Sequence, residues 1–163
     1  MRLVETPYFF VYNNRTMSRC FTMLKPGVVN RRLVGEIINR LEKKGFKIVG
    51  LKMVHPTKEL AAAHYAEHDG KPFFGELVDY LTSGPVVAMV LQADDCVALT
   101  RKLVGKTKPT DAEPGTIRGD YCTHTSRNII HASDSDESAE REIKLWFKDE
   151  EIFDWPDCED GWY

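Results

Sequence analysis

An unbroken apolar run from Val86 to Leu91 is the feature that most constrains how this chain can fold. Continuous apolar runs of this length are typical of a strand that is buried on both faces, whereas a strand with one solvent face alternates apolar and polar residues. The run therefore predicts an interior strand, and the other elements of the chain must pack around it.

The rest of the chain alternates between strand and helix patterns. Cys20 to Leu24 and Phe46 to Val54 predict strands, and Leu33 to Leu41 has the apolar spacing of a helix between them. Further predicted elements are helices from Thr57 to about His68, from Phe73 to Leu81 and from Asp94 to Gly105, a strand from Asn128 to Ile130, and a helix from Glu137 to Phe147. Four strands with interleaved helices predict an α/β fold of the ferredoxin-like type, a two-layer sandwich in which helices cover a four-stranded antiparallel sheet.

Length, charge and cysteine content narrow the class of protein. The chain has 163 residues, which suits one domain with a sizeable core. Its net charge of −3, from 22 basic and 25 acidic residues, lacks the basic excess of a nucleic-acid binder, and no apolar run is long enough to span a membrane. The four cysteines fit neither a zinc motif nor a compact disulfide framework, so we expect reduced thiols in a cytoplasmic protein. They are Cys20, Cys96, Cys122 and Cys158.

Residues 1–16 are predicted to be an extension outside the core, and residues 17–163 to be the folded domain. The extension lacks the basic start, the long apolar region and the small-residue cleavage site of a secretory signal. It contains two arginines and no serine, which makes it a weak mitochondrial presequence as well.

His131 is the strongest candidate for a functional residue. It follows the apolar pair at 129–130, and Ser133 with Asp136 three residues later is typical of a helix N-cap and its capping-box partner. His131 is therefore predicted on a strand-to-helix turn, open to a cleft and beside helix N–H groups that attract phosphate. Glu142 would reach back to the ring, and a neutral imidazole that a carboxylate orients can act as a nucleophile.

The spacing alone leaves a second interpretation of His131 open, because a histidine beside two isoleucines is more often a structural residue. Its neighbours favour function, since Arg118, Arg127 and Asn128 are groups that hold phosphate oxygens. The stretch from Lys106 to Arg127 has little periodicity and is predicted to be a loop, and loops of this length in compact domains are usually functional. The acidic and aromatic tail from Asp154 to Tyr163 is predicted to wrap over the surface or a subunit contact.

Several segments resemble one known family, in the right order from about Arg19 to the C-terminus. The stretch Arg127-Asn128-Ile129-Ile130-His131-Ala132-Ser133-Asp134 resembles the active-site signature of nucleoside diphosphate kinases. The other segments that resemble this family are Leu33-Val34-Gly35-Glu36-Ile37-Ile38, His64-Tyr65, Pro72-Phe73-Phe74, Ser83-Gly84-Pro85-Val86-Val87 and Pro114-Gly115-Thr116-Ile117-Arg118-Gly119-Asp120.

The resemblance implies a reaction, a cofactor and a set of site residues. Such enzymes move the terminal phosphate of a nucleoside triphosphate such as ATP to a nucleoside diphosphate by a ping-pong route, with Mg²⁺ carried by the nucleotide phosphates and not held directly by protein ligands. By position, His131 is the phosphohistidine, Glu142 hydrogen-bonds its other ring nitrogen, and Ser133 relays a contact to Glu142. The positions assigned to phosphate or ribose contacts are Lys25, Tyr65, Arg101, Thr107, Arg118 and Asn128, and Phe73 is the aromatic residue on which the base stacks.

The resemblance also implies a homo-oligomer, because relatives form hexamers or tetramers built from a common dimer. Pro109 matches a position at the trimer contacts of hexameric relatives, and the long tail that ends at Tyr163 is a feature of hexameric eukaryotic forms. We therefore expect a hexamer.

The chain departs from the family in the turn after the first strand, where Lys25-Pro26-Gly27-Val28-Val29 replaces Lys-Pro-Asp-Gly-Val. A positive φ at Val28 would be strained unless Gly27 takes that role, and Arg32 replaces a further glycine. These departures and the N-terminal extension leave open a regulatory or scaffolding member with weak catalysis. A kinase that passes phosphate from His131 to protein side chains also stays open. The histidines without comparable context, expected to be structural or at the surface, are His55, His64, His68 and His124.

Overall fold

A computed structural model describes residues 17–156 of the chain. The predicted extension at residues 1–16, Cys158 and the last part of the tail lie outside the described residues. The elements are β1 (Met17–Leu24), α1 (Pro26–Asn30), α2 (Val34–Lys43), β2 (Lys47–Val54), α3 (Lys58–His64), α4 (Phe74–Leu81), β3 (Val86–Asp94), α5 (Cys96–Val104), α6 (Ile117–Tyr121), β4 (Ile130–Ala132) and α7 (Asp136–Trp146). Short 3₁₀ turns span Ala66–His68, Pro109–Asp111 and Asp149–Glu151. Among these described elements, no helix has the length and apolar character needed to cross a lipid bilayer.

The four strands form one sheet in the order β2-β3-β1-β4, and all neighbours are antiparallel. β1 pairs with β3 along the whole length of β1, from Met17 opposite Asp94 to Leu24 opposite Val87. The short strand β4 pairs with the last residues of β1. This order confirms the predicted ferredoxin-like arrangement of a four-stranded antiparallel sheet covered by helices.

Helices cover both faces of this sheet. Because side chains alternate along a strand, Cys20 and Leu24 of β1 pack in one apolar cluster with α2 and α5, whereas Phe21 and Met23 pack in a second cluster with α3, α4 and α7. The run from Val86 to Leu91 is buried throughout and divides its side chains between the two clusters. The prediction of a strand buried on both faces is therefore confirmed.

The segment around His131 differs from the prediction in two respects. His131 is the central residue of β4 rather than part of the turn that follows it. The N-cap of α7 is Ser135, whose Oγ accepts a hydrogen bond from the N–H of Ser138 at 3.1 Å, and not Ser133. Ser133 is instead fully buried, because its backbone and hydroxyl bond to the backbone of Phe21 in β1.

The stretch predicted to be one long loop between residues 106 and 127 contains α6. This helix has five residues, too few to show a period in the sequence, and Thr116 caps it by accepting a hydrogen bond from the N–H of Gly119 at 3.1 Å. Its residue Arg118 donates to the carbonyl oxygens of Gly105 and Ile130, at 2.7 Å each. Contacts with distant parts of the chain therefore stabilise a helix that its own sequence does not predict.

The turn after β1 does not place strain on Val28. Val28 lies within α1 and is fully buried, and neither Val28 nor Gly27 has a positive φ. The left-handed conformation falls instead at Arg32, with φ of 56°. This is the position where the resemblance predicts glycine, so the departure from the family costs backbone strain at Arg32 and not at Val28.

Gly105 is a position where we expect substitution to be costly. Its φ is 85°, and an added Cβ would lie 2.4 Å from Thr116 Oγ1. Gly105→Ala should lower the free energy of unfolding by about 3 kcal/mol, because backbone strain and a steric clash act together. Chemical denaturation measures this effect. Gly35→Ala is the matched control, since nothing lies within 4 Å of its Cβ and helix propensity favours alanine; equal losses in both variants would contradict the argument.

Candidate active site

One cleft of about 1410 Å³ brings together nearly all of the predicted site residues. Parts of α1, α3, α4 and α7 line it, together with the segment 121–129. The predicted residues at its wall are Lys25, Tyr65, Phe73, Arg101, Thr107, Arg118, Asn128, His131 and Glu142. Ser133 is the exception, since it lies fully buried behind Glu142.

His131 enters this cleft from the sheet. It is paired with Met23 in the β1–β4 ladder, which places its side chain on the face covered by α3, α4 and α7. Its Nε2 atom lies 3.0 Å from both carboxylate oxygens of Glu142, and Ser133 Oγ donates to Glu142 Oε2 at 2.6 Å. Nε2 therefore carries the proton of the neutral ring, and Nδ1 keeps a free lone pair.

The environment keeps His131 uncharged. Burial, together with the positive charges of Lys25 and Arg118, lowers the pKa of His131 to about 3. Burial also raises the pKa of Glu142, although the hydrogen bond from Ser133 opposes this effect. Near neutral pH the ring is thus a neutral imidazole with a lone pair, which is the nucleophilic form.

A buried lysine lies on the wall of the same cleft. Lys25 is 4% exposed, and its Nζ donates to Asn128 Oδ1 at 2.8 Å. Asn128 is held in turn because its Nδ2 donates to the carbonyl oxygen of Thr125 at 2.9 Å. Burial, followed by repulsion from Arg118, lowers the pKa of Lys25 to about 7. Two cations held in a buried position make this wall of the cleft suited to anionic groups.

Comparison with known proteins shows where this arrangement belongs. The family model described as nucleoside diphosphate kinase matches residues 18–152. The chain belongs to the nucleoside diphosphate kinase family, whose members are phosphotransferases. A nucleoside diphosphate kinase of Archaeoglobus fulgidus is 56% identical over 146 residues, which cover 90% of this chain and 97% of that protein. One of Staphylococcus epidermidis is 53% identical over 146 residues, covering 90% and 98%.

A solved structure supports the same assignment. The halophilic nucleoside diphosphate kinase of Halobacterium salinarum in complex with CDP superposes with a TM-score of 0.87 and 49% identity. The match covers 89% of this chain and 97% of that one.

In this member of the nucleoside diphosphate kinase family, the two predicted arginines differ in setting. Arg118 is 7% exposed, and both its terminal nitrogens donate to backbone carbonyls, while its Nε is buried with no hydrogen-bond partner among the described residues. Arg101 in α5 and Thr107 after α5 are exposed. The structure thus places one fixed cation deep in the cleft and one adaptable cation at its opening.

An aromatic wall forms another side of the cleft. Tyr65, His68 and Phe73 follow one another, with centroid distances of 6.2 Å between the first pair and 5.6 Å between the second. Phe73 is 45% exposed at the cleft, whereas Phe74 is partly buried and packs against the core. Of these two neighbouring phenylalanines, Phe73 is therefore the one that presents a free ring face.

His64 is a residue of the cleft that was not among the predicted site residues. It is a buried residue at the end of α3, and its ring centroid lies 4.5 Å from that of His131. The His64-Tyr65 segment was part of the resemblance, but no local pattern separates this histidine from His55 or His68. Only the fold shows that α3 brings it against β4.

Proposed function

We propose that this protein is a nucleoside diphosphate kinase that transfers the γ-phosphate of ATP to a nucleoside diphosphate through a phosphohistidine at His131. The observation that carries the proposal is the pairing of His131 Nε2 with Glu142, which leaves Nδ1 without a hydrogen bond from any residue of the range 17–156. The side chain is 21% exposed at the wall of the cleft, so a phosphate can reach that atom. A structural histidine would have both nitrogens engaged or would lie outside the cleft.

The reaction consists of two displacements at phosphorus. In the first, the lone pair of His131 Nδ1 attacks the γ-phosphorus, the bond from that phosphorus to the β-phosphate oxygen breaks, and the nucleoside diphosphate leaves. In the second, a β-phosphate oxygen of another nucleoside diphosphate attacks the same phosphorus and the N–P bond breaks. Glu142 accepts the Nε2–H bond throughout, which stabilises the positive charge that develops on the ring.

The nucleotide is held by the walls described above. Lys25 and Arg118 supply the fixed charges for phosphate oxygens, and Arg101 adds a forked donor at the opening. Phe73 offers the exposed ring face on which a base can stack, and stacking tolerates every base. The assignment of phosphate or ribose contacts to Tyr65, Thr107 and Asn128 is supported by their places on the cleft wall. The Halobacterium salinarum relative was solved with CDP, a ligand of the same class.

The side chains of the cleft are consistent with a Mg²⁺ ion that is bound by the nucleotide phosphates and not by the protein. Within residues 17–156, His64, His131 and Glu142 form the one group of three potential ligands close enough to share an ion. Two imidazoles suit zinc, whereas Mg²⁺ prefers oxygen ligands and is commonly bound through substrate phosphates. Mg²⁺ bound to those phosphates would offset their charge, and Lys25 and Arg118 would bind the oxygens that remain.

We also propose a homo-hexamer in the cytoplasm. Strand β2 is an edge of the sheet and exposes Leu51 and Met53, which are 52% and 61% exposed, as expected for a surface that another copy covers. Pro109 begins a 3₁₀ turn between α5 and α6. The free, buried thiols of Cys20, Cys96 and Cys122 support a reducing compartment. Sedimentation at the mass of a tetramer or a dimer would contradict the hexamer.

Intact-protein mass spectrometry tests the function directly. The protein is incubated with ATP and Mg²⁺, and GDP is then added. We expect one acid-labile phosphoryl group on His131, which disappears as GTP forms. Folded protein that gains no phosphoryl group would contradict the ping-pong route and favour a scaffolding role. A label that survives GDP but moves to an added protein would favour the protein-kinase alternative.

Glu142→Gln should lower kcat by about 10- to 100-fold without abolishing turnover. The amide presents a donor as well as an acceptor, so either the Nε2–H of His131 or the hydroxyl of Ser133 loses its acceptor. Steady-state kinetics with ATP and GDP measure the change. Glu140→Gln on the exposed face of α7 is the matched control. Unchanged kinetics in Glu142→Gln would show that the ring needs no orienting carboxylate.

A further inference from the structure

His64 has a hydrogen-bonding state that the structure determines. Trp146 Nε1 lies 3.3 Å from His64 Nδ1, and an indole N–H can only donate. His64 Nδ1 is therefore an acceptor, and the proton of its neutral ring is on Nε2. The ring is 2% exposed, and burial lowers the pKa of His64 well below the usual value, which keeps the ring neutral.

The proton on His64 Nε2 has no acceptor among the described residues. A nitrogen of His64 lies within 4.8 Å of both a nitrogen of His131 and a carboxylate oxygen of Glu142. Because Nδ1 accepts from Trp146, the Nε2–H is the group of His64 that is left to bond to a new partner. Buried donors without acceptors are rare and destabilising, so this N–H is free to bond to an acceptor that arrives during the reaction.

The same three side chains do not make a good metal site. A zinc ligand must offer a lone pair, and the other ring nitrogen then normally donates its N–H to an acceptor. Trp146 reverses this pattern, because its indole N–H already requires the lone pair of His64 Nδ1. Metal binding at Nε2 would leave His64 with no ring proton at all. The cluster therefore suits an incoming acceptor rather than a cation.

We propose that His64 Nε2–H donates a hydrogen bond to the phosphoryl group while that group is carried by His131. The inference rests on the proposed function, which supplies the phosphoryl group. The two rings are nearly perpendicular, at 78°, and His64 lines the same cleft as Lys25 and Arg118. His64 thus adds a neutral donor on the side of the phosphoryl group nearest α3, and Trp146 fixes that donor in the required tautomer.

The test compares two substitutions of His64. Leu is close in size to histidine but has no donor, whereas the side-chain amide of Gln offers an N–H near the position of Nε2. His64→Leu should lower the single-turnover rate of His131 phosphorylation by about 100-fold, with the Kd of ADP unchanged. His64→Gln should recover at least about a tenth of the wild-type rate. His55→Leu, at an exposed residue outside the cleft, is the matched control.

A measurement on the wild-type protein avoids the possibility that a variant folds poorly. In ¹⁵N-labelled protein, NMR should show His64 with its proton on Nε2, and the Nε2–H resonance should move downfield when His131 is phosphorylated. An unmoved resonance, or wild-type kinetics in folded His64→Leu, would overturn the proposal. If wild-type protein takes up no phosphoryl group from ATP, the proposed function itself fails and the inference fails with it; uptake without a change at His64 contradicts the inference alone.

Discussion

His131→Ala should reduce the rate of GTP formation from ATP and GDP by roughly 10⁴-fold or more, because it removes the atom that is proposed to carry the phosphoryl group. The cleft walls and their cations remain in this variant, so ADP should still bind with a Kd close to that of the wild type. A coupled assay measures turnover, and calorimetry measures binding. The expected pattern is therefore loss of chemistry without loss of binding.

The control for this variant is another histidine of the same chain. His55→Ala changes an exposed residue outside the cleft and should keep wild-type turnover. A His131→Ala protein that folds and still turns over, at any substantial fraction of the wild-type rate, would show direct transfer between two bound nucleotides. Such a result would remove His131 from the role of nucleophile.

The pH dependence of stability offers a second check on His131. Its pKa in the folded protein is about 3, whereas the ordinary value is 6.5. Below pH 6.5 the unfolded chain binds a proton that the folded protein excludes, so stability falls as the pH falls from 6.5 toward 3. His131→Ala removes this contribution. Thermal unfolding in that pH range should therefore show a weaker loss of stability in the variant than in the wild type.

Local patterns in the sequence predict most of the fold because each pattern reports burial. The apolar run from Val86 to Leu91 and the alternation through Val54 depend only on which side chains are buried, and these strands form as predicted. The same reasoning fails where a distant residue decides the outcome. Ser133 and Ser135 are both suitable helix N-caps. The hydroxyl of Ser133 is hydrogen-bonded to Phe21 and Glu142, so Ser135 is the residue that caps α7.

The residues of the candidate site likewise include some that sequence motifs predict and others that only the fold shows. Motif resemblance gave positions that the fold brings to one cleft, such as Lys25 and Arg118. It also assigned base stacking to Phe73, and the structure adds that Phe73 is exposed whereas Phe74 packs against the core. His64 was not predicted because the hydrogen bond that fixes its tautomer comes from Trp146, 82 residues later in the chain. No local pattern carries that information.

Lys25→Met should lower kcat/KM by about 10²- to 10³-fold, since it removes a buried charge that we propose binds the transferring phosphate. The substitution keeps much of the volume of the side chain, so the wall of the cleft should persist. Steady-state kinetics with ATP and GDP measure the loss. Lys43→Met, at an exposed position in α2, controls for the change of residue type.

The lowered pKa of Lys25 predicts that nucleotide binding depends on pH. In the empty cleft it is about 7, so the charged fraction falls as the pH rises above 7. Bound phosphates favour the charged form, so nucleotide binding must take up a proton in that range. The Kd of ADP should therefore rise with pH above 7 in the wild type, by up to about tenfold per pH unit. In Lys25→Met this pH dependence should disappear.

Lys25→Met should lower activity without lowering the stability of the folded protein at low pH. The unfolded chain holds the Lys25 proton up to its ordinary pKa of 10.5, whereas the folded protein releases it near a pKa of about 7. The buried charge therefore destabilises the folded protein below pH 7, and this cost decreases between pH 7 and 10.5. Lys25→Met removes the cost, although Asn128 Oδ1 loses its donor. At pH 6 the variant should unfold at the same temperature as the wild type or higher. A variant that is inactive and also much less stable at pH 6 would mean that Lys25 holds the fold together, and the assignment of its charge to phosphate binding would fail.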